Sequence, residues 1–190
     1  PSTRQYVTEN YTITYVYGEI TVLRRPLKIR IDGEKVYDGM PLQNWVVNYV
    51  DGSEPAFGHT LTVKPMETLT DVGTLYSRIN TETLRLVDRK GADVRKNYDI
   101  SNPKGTLRVT PRPIAIQSAD AEKIYDGTPL TAPVGVLTKD SMRLVEGHRI
   151  VLDVYGEAVE VGRHPNTFDP DSLQILDSSG KDVSHNYTYA

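Results

Sequence analysis

The chain has 190 residues, with 22 Lys and Arg against 25 Asp and Glu, a net charge of −3, and no cysteine. No Lys/Arg-rich run occurs, which excludes a nucleic-acid or anionic-membrane footprint, and the lack of cysteine excludes disulfides, thiol redox chemistry and thiolate metal sites. No apolar run is long enough to span a membrane, no signal peptide is visible, and the first residue is Pro1, so the sequence reads as an excerpt of a longer polypeptide.

In chain order, period-two alternation dominates. Tyr15 and Tyr17 alternate with Thr14 and Val16, ahead of Gly18-Glu19-Ile20-Thr21-Val22. Leu27, Ile29 and Ile31 alternate with Lys28 and Arg30, which sends one strand face into a core and the other into water. Asp38-Gly39 supplies a turn, since Asp caps and Gly takes positive φ. Leu61-Thr62-Val63-Lys64 is a weaker strand. Asn102-Pro103-Lys104-Gly105 predicts a turn that joins strands over 98–101 and 106–110 into a short hairpin. Ile114 and Ile116 repeat the first alternation, and Asp126-Gly127 repeats the turn. The best helical candidate is a turn or two over 138–145, with Asp140 or Ser141 as N-cap. Ile150, Leu152 and Val154 predict one further strand.

These parallels belong to a repeat. Glu34-Lys35-Val36-Tyr37-Asp38-Gly39-Met40-Pro41-Leu42 returns as Glu122-Lys123-Ile124-Tyr125-Asp126-Gly127-Thr128-Pro129-Leu130. Arg25-Pro26 returns as Arg112-Pro113, Gly58-His59 as Gly147-His148, and residues 84–98 as 173–187. Asn10-Tyr11 and Gly18–Val22 match Asn97-Tyr98 and Gly105–Val109 as a partial third copy. The expected organisation is residues 1–24 as closing strands of a preceding repeat, 25–110 as unit 1, and 111–190 as unit 2 lacking its last strand. Tandem copies of a small unit point to a modular rod or binding array rather than one catalytic cleft. Pro-flanked junctions without a Gly/Ser spacer predict a stiff, elongated arrangement. The unpaired edge predicts that residues 11–22 either fold back onto unit 1 or complete unit 2 of a neighbouring molecule by strand exchange.

The ordered series Arg112-Pro113-Ile114, Lys123-Ile124-Tyr125-Asp126-Gly127-Thr128-Pro129-Leu130, Leu144-Val145-Glu146-Gly147-His148, Val161-Gly162, Asp182-Val183 and Asn186-Tyr187 resembles the YDG/MBG-type repeats of large cell-surface proteins, chiefly of Firmicutes. Unit 1 departs from it at Met40 and at Ala56-Phe57-Gly58-His59. The resemblance implies a mostly-β fold of two tandem domains, β-grasp-like or Ig-like sandwiches, within a secreted, wall-attached protein. It implies a stalk or adhesive role, partners such as a host glycoprotein, glycan or matrix protein, and no catalytic residues or cofactor.

Chemistry-bearing motifs are sparse. His59, His148, His164 and His185 show no zinc-ligand spacing. Asp169, Asp171, Asp177 and Asp182 lack the calcium-loop ligand series, so no metal is expected; Asp177 and Asp182 are the positions a calcium-dependent melting temperature would implicate. There is no Gly-x-Ser-x-Gly elbow and no Gly-rich phosphate loop, so no enzyme is expected. The Tyr37-Asp38-Gly39 and Tyr125-Asp126-Gly127 motifs read as structural turns with Tyr on the core edge. Exposed aromatics are common protein and sugar contacts, so Trp45, Tyr49, Tyr15 and Tyr17 are the candidate ligand-binding residues, with a carbohydrate-binding module as the alternative function.

Overall fold

A computed structural model describes residues 11–189 of the chain. The fold is mostly β, built from several small sheets. Its longest strand is β1 (Arg25–Val36), whose inward residues Leu27, Ile29 and Ile31 are fully buried, as the alternation requires. β2 (Trp45–Tyr49) pairs antiparallel with it. The chain then forms β3 (Thr60–Thr62), β4 (Gly73–Ser77) and β5 (Arg85–Val87). It returns along the other edge of β1 as β6 (Tyr98–Ser101) and β7 (Gly105–Thr110). Both run parallel to β1, β6 beside residues 25–28 and β7 beside 33–36. β4 lies antiparallel to β7, while β3 and β5 form their own ladder. Leu42, Leu86, Leu107 and Val109 complete the core of this unit.

The second unit contains β8 (Arg112–Ile114), β9 (Ile116–Ser118), β10 (Gly135–Leu137), β11 (Arg149–Val151), β12 (Val154–Tyr155), β13 (Thr167–Phe168), β14 (Gln174–Leu176) and β15 (Tyr187–Tyr189). The pair β9–β10 repeats β1–β2, the parallel pair β8–β15 repeats β1–β6, and β11–β14 repeats β3–β5. β12 and β13 form a further short pair. Among the described residues of unit 2, no strand takes the place of β7.

Four expectations are corrected. The segments over 98–101 and 106–110 are not a hairpin: both continue in one direction along β1. Pro103 has no N–H for a ladder, and the Asn102 side chain spans the gap. Its Nδ2 donates to the Ile29 carbonyl (2.9 Å) and its Oδ1 accepts from the Ile79 N–H (2.9 Å). Residues 138–145 form a turn and irregular chain, not a helix. Ser141 does not cap them; its hydroxyl accepts the Ala115 N–H at 2.9 Å and so ties the segment to unit 2's first strands. The strand over 150–154 is broken into β11 and β12, because the Asp153 N–H turns to the Ser172 hydroxyl (2.9 Å). Residues 11–24 do not fold back onto unit 1: they are exposed and in no strand. Both edges of β1 are already occupied, by β2 and by β6 with β7. The helical content of the described residues is three single 3-10 turns, Arg95–Asn97, Pro170–Ser172 and Ser184–Asn186. None of their helices is long and apolar enough to cross a membrane.

Candidate functional site

The repeated motif folds the same way in both units. The Asp38 carboxylate accepts the Met40 N–H at 2.9 Å, and the Asp126 carboxylate accepts the Thr128 N–H at 2.9 Å. Gly39 and Gly127 adopt φ of 77° and 79°, the left-handed region that a glycine enters without steric cost. The motif Lys ties each turn down. Lys35 Nζ reaches the Asp38 carboxylate and the Met40 carbonyl, and Lys123 Nζ meets Asp126 Oδ1 at 2.7 Å. The Lys123 ammonium, followed by the Thr128 N–H and hydroxyl, holds Asp126 well below the usual carboxylate range. Burial pushes Asp38 up, but Lys35 and the Met40 N–H outweigh it and leave that carboxyl lowered as well.

The two turns differ in what surrounds them. Tyr37 is 4% exposed and Tyr125 is 58% exposed. Tyr37 points into unit 2, where its ring meets Tyr187 edge-on (centroids 5.7 Å apart, 76° between planes) and lies 6.2 Å from the His148 ring. The Arg112 guanidinium donates to the Tyr37 carbonyl at 3.3 Å. A Cβ on Gly39 would lie 2.8 Å from Val145 Cγ1, so the turn sits directly on unit 2; a Cβ on Gly127 would meet nothing within 4 Å. Fully buried Asn186 locks the contact from the side. Its Oδ1 accepts the Val72 N–H at 2.7 Å and its Nδ2 donates to Asp71 Oδ1 at 3.0 Å. The motif of unit 1 is therefore one half of a junction, and His148, Tyr187, Asn186 and Val145 form the other half.

That receiving half is tied together by hydrogen bonds to the Tyr187 hydroxyl. The Tyr187 hydroxyl lies 2.7 Å from His148 Nδ1 and accepts the Val145 N–H at 3.1 Å. Burial pushes the Tyr187 and Tyr37 phenols up and the His148 imidazole down, the last against the pull of Asp177. Unit 1 contains the same construction: the Tyr98 hydroxyl lies 2.6 Å from His59 Nδ1 and accepts the Ala56 N–H at 2.8 Å. The sequence marks His59 and His148 as repeat landmarks and offers them only as rejected zinc ligands, and it carries Lys35 and Lys123 in the repeated motif without a role. Their strict recurrence beside Tyr-Asp-Gly was the available signal.

The aromatic candidates are not brought together. Trp45 is half-buried and packs against the core of unit 1, while Tyr49, on the same strand, is exposed. Tyr15 and Tyr17 stand exposed in the strandless segment 11–24. No ring contact among the described residues links any of the four. A shallow open groove on the outward face of β1 and β2 is lined by Asp32, Asn44, Asn48 and Arg108, without Trp45. Much of its polar surface is already paired, as in the 2.6 Å bond from Asn48 to Asp32. Asp177 spends its carboxylate on the Ser179 and Lys181 N–H groups (2.8 and 3.0 Å), and Asp182 on the Ser184 N–H (2.8 Å). Among the described residues no group of three or more His, Cys, Asp or Glu is placed to hold a metal ion. No protein-family model, no curated protein and no solved structure matches the chain.

Proposed function

We propose that this chain is a non-enzymatic tandem-repeat segment of a bacterial cell-surface protein, working as a stiff spacer that holds a binding region away from the cell. The observation that carries this reading is the use of the most strongly repeated motif: Tyr37-Asp38-Gly39 joins one unit to the next, and the cleft it lines is the seam between them. A solenoid-like array needs such nearest-neighbour contacts to transmit orientation along its length. The ordered resemblance of the repeat to YDG/MBG-type units supports the extracellular, wall-attached setting. Trp45 packed on the core supports a spacer over a carbohydrate-binding module.

Small-angle scattering tests the spacer. The wild-type chain is expected to fit one fixed arrangement of two units, and Tyr37→Ala to broaden it. Two independently tumbling units in the wild type would overturn the reading. A screen against mucin, matrix proteins and glycans, followed by Trp45 fluorescence, tests the adhesive alternative. Saturable binding lost in Trp45→Ala would replace the spacer with a binding module.

A further inference from the structure

The junction between the units has two halves, and each half recurs once in the chain: unit 2 carries a second turn and unit 1 a second receiving pair. On unit 2 the turn Tyr125-Asp126-Gly127 is folded like its counterpart, held by Lys123 and with open space above Gly127. On unit 1 the receiving pair is already assembled. The ring centroids of His59 and Tyr98 lie 5.8 Å apart at 61°, against 5.9 Å and 63° for His148 and Tyr187. Asn97 occupies the position of Asn186, yet it is exposed where Asn186 is fully buried. Arg25 Nε is anchored on the Glu54 carbonyl (2.7 Å), as Arg112 Nε is anchored on the Arg143 carbonyl (2.5 Å) before its Nη1 reaches Tyr37. The side groups match as well. The Leu130 N–H donates to the Ala158 carbonyl as the Leu42 N–H donates to the Leu69 carbonyl, so Glu160 and Val161 follow that bond by two and three residues, as Asp71 and Val72 do.

We propose that these halves bind each other between molecules: Tyr125-Asp126-Gly127 of one copy docks on His59, Tyr98 and Asn97 of a second copy, giving head-to-tail association. The docked interface is the one seen inside the chain, with Pro55, Ala56, Phe57, Arg89 and Ala92 in place of Leu144, Val145, Glu146, Ser178 and Lys181 on the receiving side. Ala56 replaces Val145, which leaves more room for the turn, and Phe57 with Arg89 stacked on it replaces Glu146 and Ser178. Phe57 is 92% exposed in the single chain. In the docked arrangement Arg25 takes the part of Arg112, whose guanidinium donates to the Tyr37 carbonyl, and donates to the Tyr125 carbonyl. A contact of this kind joins unlike surfaces and therefore propagates as an open chain or closes as a ring.

Cysteine trapping tests it, because the chain has no cysteine of its own. An internal control comes first: a Cβ on Gly39 would stand 4.0 Å from Val145 Cβ, within the roughly 3.5–4.5 Å a disulfide needs. Gly39→Cys/Val145→Cys should close within one molecule. The trans pair uses Gly127→Cys in one chain and Ala56→Cys in another, mixed at about 1 mM to match the effective concentration that short connections provide. The expected result is a covalent heterodimer that predominates over both homodimers and is lost when Tyr125→Ala is added to the Gly127→Cys chain. No heterodimer while the control closes, or a heterodimer indifferent to Tyr125→Ala, would overturn the proposal; so would a control that fails to close. Sedimentation velocity of the cysteine-free chain provides a second reading, independent of how the variants fold. Its sedimentation coefficient should rise with concentration, and that rise should vanish in Tyr125→Ala. A coefficient independent of concentration to about 1 mM would refute head-to-tail docking.

Discussion

Tyr37→Ala and Tyr125→Ala make the same chemical change in the same local sequence, and they should cost very different amounts. Tyr37 is 4% exposed and Tyr125 58% exposed, so docking removes about half of a side chain that offers roughly 200 Å². About 100 Å² at about 25 cal/mol per Å² gives ~2.5 kcal/mol, and the edge-on contact with Tyr187 adds roughly 0.5–1.5 kcal/mol. Burial already present in the unfolded chain trims the area contribution by about 10–40%. Tyr37→Ala should therefore destabilise by about 2–4 kcal/mol, and Tyr125→Ala by within about 0.5 kcal/mol, as for other exposed positions. The assay is urea unfolding followed by Trp45 fluorescence, which reports unit 1, and by far-UV circular dichroism, which reports both units. With a slope of about 1–3 kcal/mol per molar, the Tyr37→Ala midpoint should fall by roughly 1 M. Equal midpoints for the two variants would refute the assignment of Tyr37 to the junction.

Asn186→Ala leaves the Val72 N–H without its partner and should cost about 1–3 kcal/mol, whereas Asn97→Ala should stay within about 0.5 kcal/mol; thermal melts of the pair decide it. Gly39→Ala and Gly127→Ala share the left-handed backbone cost of about 1–2 kcal/mol, but only Gly39→Ala also drives a methyl group against Val145, so its melting temperature should fall further. His148 is held below its ordinary pKa by burial, so on acidification the unfolded chain takes up this proton first. The contribution of neutral His148 is full above about pH 6.5 and is lost as pH falls through the folded-state value. Melting temperatures should decline over that window, and an NMR titration midpoint for His148 at or above about 6.5 would contradict the burial argument.

Much of unit 1 was legible because its signals are local. Leu27, Ile29 and Ile31 sit at period two and are all fully buried. The Asp-Gly turns need only their own capping bonds. The hairpin expectation failed because a turn-like Asn-Pro-Lys-Gly stretch can also be a straight passage, once an Asn side chain replaces the missing backbone donor against a strand distant in sequence. The helical turn failed for a similar reason, since Ser141 found a partner in Ala115, 26 residues away. The junction was illegible in principle from local pattern. Tyr37 and Tyr125 lie in nearly identical nonapeptides, and what separates them is the neighbour each one meets.

The path of β6 and β7 along β1 has a mechanical consequence. Unit 1 is entered at Arg25, one end of β1, and left at Thr110, beside Val36 at the other end. Tension applied through the backbone therefore pulls β1 and its parallel partners past each other lengthwise. The ladder from Arg25–Tyr98 to Val36–Thr110 is loaded in shear, with its hydrogen bonds strained together rather than peeled one at a time. A tether that must hold against flow gains resistance from such a layout without any added covalent bond.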